Sequence, residues 1–168
     1  MVKRERPRHA AGAISPAVMG YLLGESSGAR TDGEMVWTSS KPRDVRNRVT
    51  VLTGTIEVED AYLQMQYNTP RPWAISLLYR GADVPIRRVC VHGNGHGFGR
   101  ATHMHTYRSA DGGEECVLVP GSFPECPISS SSSVTNDDRR MMFMAFADLC
   151  HVSTDTLTWV DPPEKEER

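Results

Sequence analysis

The sequence predicts an α+β protein: an antiparallel β-meander with a short N-terminal helix and a C-terminal helix packed on one face of the sheet. Three observations carry that expectation. From Val49 onward the chain is rich in Val, Ile and Thr, in short runs parted by turn-forming residues. Within such runs apolar and polar side chains alternate, with Ala61, Leu63, Met65 and Tyr67 on one side and Tyr62, Gln64 and Gln66 on the other. One late stretch, RRMMFMAFADLCHV, keeps helical rather than strand spacing. With 168 residues, 39% of them hydrophobic, the chain has material for one domain, over 13–160, with a proper core.

Taken in order, residues 1–12 read as a mobile basic tail. Ser15 is placed to cap a helix that has Pro16 at its first position, and AVMGYLL runs on to a stop near Gly24. Residues 24–48 are polar and broken by Gly, Ser and Pro, which suits a long loop anchored by Met35, Val36 and Trp37. Strands are expected in RVTVLTGTIEVE, AYLQMQY, WAISLLYR, VPIRRVCVH, ATHMHTY and EECVLVP. Residues 129–136 form a Ser-rich loop without apolar material to bury. Thr135 or Asn136 caps the late helix, and Asp137 and Asp138 suit its first turn. Met142, Ala145, Phe146 and Leu149 then face the sheet. Residues 161–168 are a polar tail. No internal repeat is evident.

Composition narrows the function classes. No apolar run approaches the ~20 residues a membrane span needs. The basic N-terminus has too short an apolar part for a secretory leader, so a cytoplasmic location is expected. Cys90, Cys116, Cys126 and Cys150 form no C-x-x-C pair, which argues against a cysteine-based zinc site; Cys90 and Cys150 lie in apolar runs and read as buried thiols. Charge is divided unevenly. Residues 1–110 carry 15 basic and 9 acidic residues, and residues 111–168 carry 4 and 12. Sixteen of the 19 basic residues are arginine, whose planar fork suits phosphate.

Function is expected in residues 92–107, HGNGHGFGRATHMHTY, which hold four of the six histidines and four glycines. As a strand, ATHMHTY puts Ala101, His103, His105 and Tyr107 on one face. In VPIRRVCVH, Ile86, Arg88, Cys90 and His92 share a face. A hairpin stays in phase if 92 pairs with 101 or with 103, and either register gathers Arg88, His92, His103, His105 and Tyr107. Three readings follow. In the first, a site without any cofactor works on a phosphodiester, most naturally RNA. One of His92, His103 and His105 takes the 2′-OH proton and another protonates the leaving oxygen. Arg88 stabilises the charged transition state and Tyr107 orients or donates. Arg80, Arg87, Arg100 and Arg108 would hold the nucleic acid chain. In the second, His103 and His105 ligate Zn, Fe or Mn, with His92 or His96 as a further ligand. In the third, these are polar residues on the open face of a half-exposed sheet.

The run PIRRVCVHGNGHGFGRATHMHTY, then ECVLVP, then a helix ending FADLCHV, resembles a family of small uncharacterised proteins of bacteria, prophages and phages with an H-x-H-x-Y strand. It is more faintly similar to TumE-type toxins of toxin–antitoxin loci, which carry a histidine-rich loop after an Arg-bearing strand. The resemblance spans about residues 74–151. The phage-type family implies no established activity; the toxin likeness implies interference with RNA or translation. Residues 94–99, NGHGFG, depart from the Asn-Pro that the family tends to show, and this bears on His96. Gly97, five residues and His103-x-His105 also resemble the opening of the cupin metal motif. Ser109 and Ala110 stand where the cupin glutamate would fall, and VPGSFPECP lacks the second motif. The sequence thus predicts a mobile-element or toxin-like protein whose partner is RNA. The alternative is a phage-borne inhibitor that binds a host or phage protein and occludes it.

Overall fold

Seven strands follow one another across a single antiparallel sheet in chain order. The computed structural model describes residues 14–39, 43–92, 97–107, 113–125 and 134–163. The strands are β1 (Arg30–Thr38), β2 (Asp44–Leu52), β3 (Tyr62–Asn68), β4 (Arg71–Gly81), β5 (Val84–Val91), β6 (His103–Tyr107) and β7 (Glu114–Leu118). Helix α1 spans Pro16–Leu22 and α2 spans Asn136–Leu149. The α+β class and the meander are as expected. The expected basic tail lies outside the described residues, as do 129–133 of the Ser-rich loop and 164–168 of the polar tail.

Local signals account for the helix ends. Ser15 Oγ accepts from Val18 N at 3.2 Å, with Pro16 in the first turn. Thr135 and Asp138 form a reciprocal capping box, Asp138 N to Thr135 Oγ1 at 3.0 Å and Thr135 N to Asp138 Oδ2 at 2.9 Å. The β4–β5 turn has Ala82 and Asp83 at φ 48° and 60°, the left-handed pair that matches strand twist in a two-residue hairpin.

One face of the sheet makes the core. Leu63, Met65, Ile75, Leu77, Tyr79, Val89 and Val91 are buried in one cluster with Met19 and Leu22 of α1. Met142, Phe143, Phe146 and Ala147 of α2 complete it. Phe146 was expected here. Leu149 and Ala145 are only half-buried, while Phe143 and Ala147 take fully buried places. After α2 the chain returns along β1: Thr31 N donates to Ser153 O at 2.9 Å, and Trp37 Nε1 donates to Val160 O at 2.7 Å.

Two expectations need correction. Residues 24–48 are not one long loop: they hold a 3-10 turn at Glu25–Ser27, then β1 and the start of β2. β1 is an edge strand in which only Thr31 and Met35 are buried. It therefore lacks the apolar alternation that betrays a strand. Ile86 does not share a face with Arg88 and Cys90. The β4–β5 register shifts between Tyr79 and Arg80, which pair with Arg87 and Pro85. That bulge leaves Ile86 and Arg87 on the core side and restarts the alternation at Arg88.

Candidate functional site

Strands β5, β6 and β7 carry the site on the face turned away from α2. Cross-strand partners in an antiparallel sheet project to the same side. Arg88 pairs with His105 and Cys90 with His103, which is the first of the two registers that the alternation allowed. On the other flank His105 pairs with Cys116 and Tyr107 with Glu114. Three adjacent strands thus place an arginine, two histidines, two cysteines, a tyrosine and a glutamate together.

His105 is the hub, and its ring is fully buried. Its Nε2 lies 3.3 Å from Arg88 Nη2, 3.7 Å from Cys90 Sγ and 4.0 Å from Cys116 Sγ. Its Nδ1 lies 3.2 Å from Glu114 Oε2. A guanidinium only donates, so Nε2 accepts from Arg88 and the ring proton sits on Nδ1, at ion-pair distance from the carboxylate rather than aligned on it. His103 is 1% exposed and donates from Nδ1 to Ala101 O at 2.9 Å, which puts its lone pair on Nε2. The two rings are 5.0 Å apart; Phe98 stacks on His103 and Tyr107 on His105. Each imidazole thus has one stacked aromatic neighbour and a hydrogen bond at one ring nitrogen.

Burial pushes the Cys90 thiol up, with the Arg88 guanidinium pulling against it. Burial also pushes the Cys116 thiol up, and the Glu114 carboxylate adds to that. Tyr107 is raised by burial as well, with Arg88 pulling against it and the Glu114 carboxylate adding to the rise. The two thiols therefore hold their protons at neutral pH until something replaces them, which is the exchange a metal ion makes.

Cys90, His103 and His105 form a group that could hold a metal ion: one ligand atom from each lies within 4.8 Å of the others. Zn–S of ~2.3 Å and Zn–N of ~2.0–2.1 Å at a tetrahedral angle give an S···N edge of about 3.6 Å. The Cys90–His105 separation of 3.7 Å matches that edge. A cation on His105 Nε2 would take the place of Arg88, whose Nε has no hydrogen-bond partner among the described residues.

The other candidates separate. His92 lies just past β5 in left-handed backbone, φ 53°, with its Nδ1 3.2 Å from Arg100 O, and it is not in the metal-holding group. Arg80 is on the open face and donates to Asp83 O at 3.0 Å. Arg87 is on the opposite face: it donates to Thr106 Oγ1 at 3.2 Å and to Leu149 O, tying β5 to the end of α2. The bulge before it is the reason it does not join Arg88. Arg100 is exposed in the turn before β6. His96 and Arg108 lie outside the described residues.

Two site residues were not legible, and a third, Cys90, was placed on the right face but read as a buried thiol. Cys90 shares the Arg88 face by alternation alone, but its apolar neighbours Val89 and Val91 made it read as a core thiol. Glu114 and Cys116 sit in EECVLVP, where nothing local marks them; only the β6–β7 register brings them to His105. No helix among the described residues is long and apolar enough to cross a membrane. No family model, curated protein or solved structure matches the chain.

Proposed function

We propose that this is a metal-binding protein whose Cys90, His103 and His105 hold a zinc-type divalent cation. The observation that carries the reading is the convergence of two buried imidazoles on the Cys90 sulfur, with His105 Nε2 3.7 Å from that sulfur and His103 tethered through Nδ1 to the Ala101 carbonyl. Metal-ligating histidines characteristically donate their second ring N–H to such acceptors, which sets the tautomer and raises ligand basicity. The thiolate makes the set soft enough to favour Zn²⁺ over Mn²⁺. Rings with so little exposure can serve an ion held among them more readily than a bulky polymer.

A second reading is favoured by a different observation, the chain Arg88–His105–Glu114. An imidazole with a guanidinium at one ring nitrogen and a carboxylate 3.2 Å from the other is suited to acid–base work on a phosphodiester such as RNA. The two readings compete for one atom, His105 Nε2, so one set of measurements separates them. Elemental analysis of purified protein should find close to one equivalent of zinc, lost in His103→Ala and in Cys90→Ser. Absence of Zn, Fe and Mn, with no thermal shift on adding any of them, would remove the metal centre. Cleavage of RNA that survives EDTA and is lost in both Arg88→Ala and His105→Ala would establish the second reading. Neither metal nor cleavage would leave the face to a protein partner, as in the inhibitor-like alternative.

A further inference from the structure

We infer that Cys116 supplies the fourth ligand and closes the centre as a Cys2His2 clasp; this rests on the metal-centre reading above. Cys116 lies directly across from His105 on β7, and its sulfur is 4.0 Å from His105 Nε2. The tetrahedral S···N edge of about 3.6 Å needs only a few tenths of an ångström of closure. Cys116 is half-buried on the terminal strand of the sheet, so a small rotation of its side chain meets little packing.

Charge points the same way. A dication with Cys90 as its one thiolate and two neutral imidazoles keeps a net positive charge. That charge would sit next to the Arg88 guanidinium and between rings that are 0–1% exposed. A second thiolate brings the metal and its ligands to neutrality, which a buried site needs. Arg88, once displaced from Nε2, still has Glu114 and Tyr107 on its own face. A four-protein-ligand centre also has no open position for substrate, so the clasp is structural. It joins β5, β6 and β7, and β7 gains most: among the described residues it pairs on one side only, with Val117 and Leu118 exposed.

Cobalt(II) replaces zinc as the probe on the full chain. Wild type should take up cobalt with strong tetrahedral visible bands and thiolate-to-cobalt charge transfer. In Cys116→Ser the charge transfer per bound cobalt should fall to about half, from two thiolates to one. Its affinity should fall at least about tenfold, since even loss of an outer partner costs that much. Unchanged charge transfer and affinity in Cys116→Ser, with both altered in Cys90→Ser, would overturn the fourth ligand and leave the metal centre standing. Failure of wild type to bind cobalt or zinc would overturn both. Hydrogen exchange on wild type is independent of any variant: amides of 114–118 should exchange more slowly with zinc than after chelation, and equal rates would count against the clasp.

Discussion

Phe146→Ala is expected to lower the unfolding free energy by about 3–5 kcal/mol, the usual cost of removing a buried aromatic ring and leaving its space partly unfilled. Phe146 has no exposed surface and lies in one cluster with Phe143, Met142 and the apolar face of the sheet. α2 is held to the sheet mainly by this apolar contact. Its polar ties are few: Arg87 at the C-terminal end and Arg139, whose guanidinium lies 4.4 Å from the Tyr67 ring centre. Domains of this kind have roughly 5–15 kcal/mol of stability in all, so the variant should lose a substantial share of it. Urea unfolding followed by circular dichroism measures the change. Met141, on the same helix but 55% exposed, supplies the comparison, and Met141→Ala should stay within about 0.5 kcal/mol. A loss under ~1 kcal/mol for Phe146→Ala would mean that α2 is peripheral to the core.

Gly54→Ala should be the most damaging single-methyl addition in the turns, at more than about 3 kcal/mol, because left-handed strain of roughly 1–2 kcal/mol adds to a backbone collision. Gly54 follows β2 at φ +81°, and a Cβ there would stand 1.8 Å from Ser27 O and 2.9 Å from Ser27 C. Both atoms are main chain, so no side chain can turn away to make room. Gly33 isolates the strain: its φ is +78°, with nothing within 4 Å of an added Cβ. Gly33→Ala should therefore cost only the conformational part, roughly 1–2 kcal/mol. Equal losses in the two variants, measured by the same urea titration, would show that the β2–β3 turn does not pass as close to the 25–28 turn as these distances require.

That contrast marks the boundary of what the residues say on their own. Gly33 and Gly54 look alike in sequence, and only the fold brings Ser27 against one of them. The same boundary runs through the site. Period-two alternation is a local property of extended backbone, so His103, His105 and Tyr107 could be placed on one face, and Arg88 with Cys90, before any strand was paired. Capping chemistry is equally local, and Ser15 and Thr135 could be read as helix starts. A meander with a late apolar helix followed from the same short-range patterns.

What crosses from strand to strand was not local. Alternation allowed two β5–β6 registers, and long-range pairing selected the one that sets Arg88 opposite His105. A bulge is an insertion of one residue relative to a partner strand, so nothing within VPIRRVCVH could reveal that Arg87 turns to the core side while Arg88 turns to the site. β1 stayed hidden because an edge strand buries little and needs no apolar rhythm. Glu114 and Cys116 owe their place in the site to the strand that faces them. The sequence by itself determined the class of fold and the face on which the histidines lie, because both rest on contacts within a few residues. The tertiary structure alone decided which thiols and which carboxylate meet them, because hydrogen bonding between strands distant in the chain set that register.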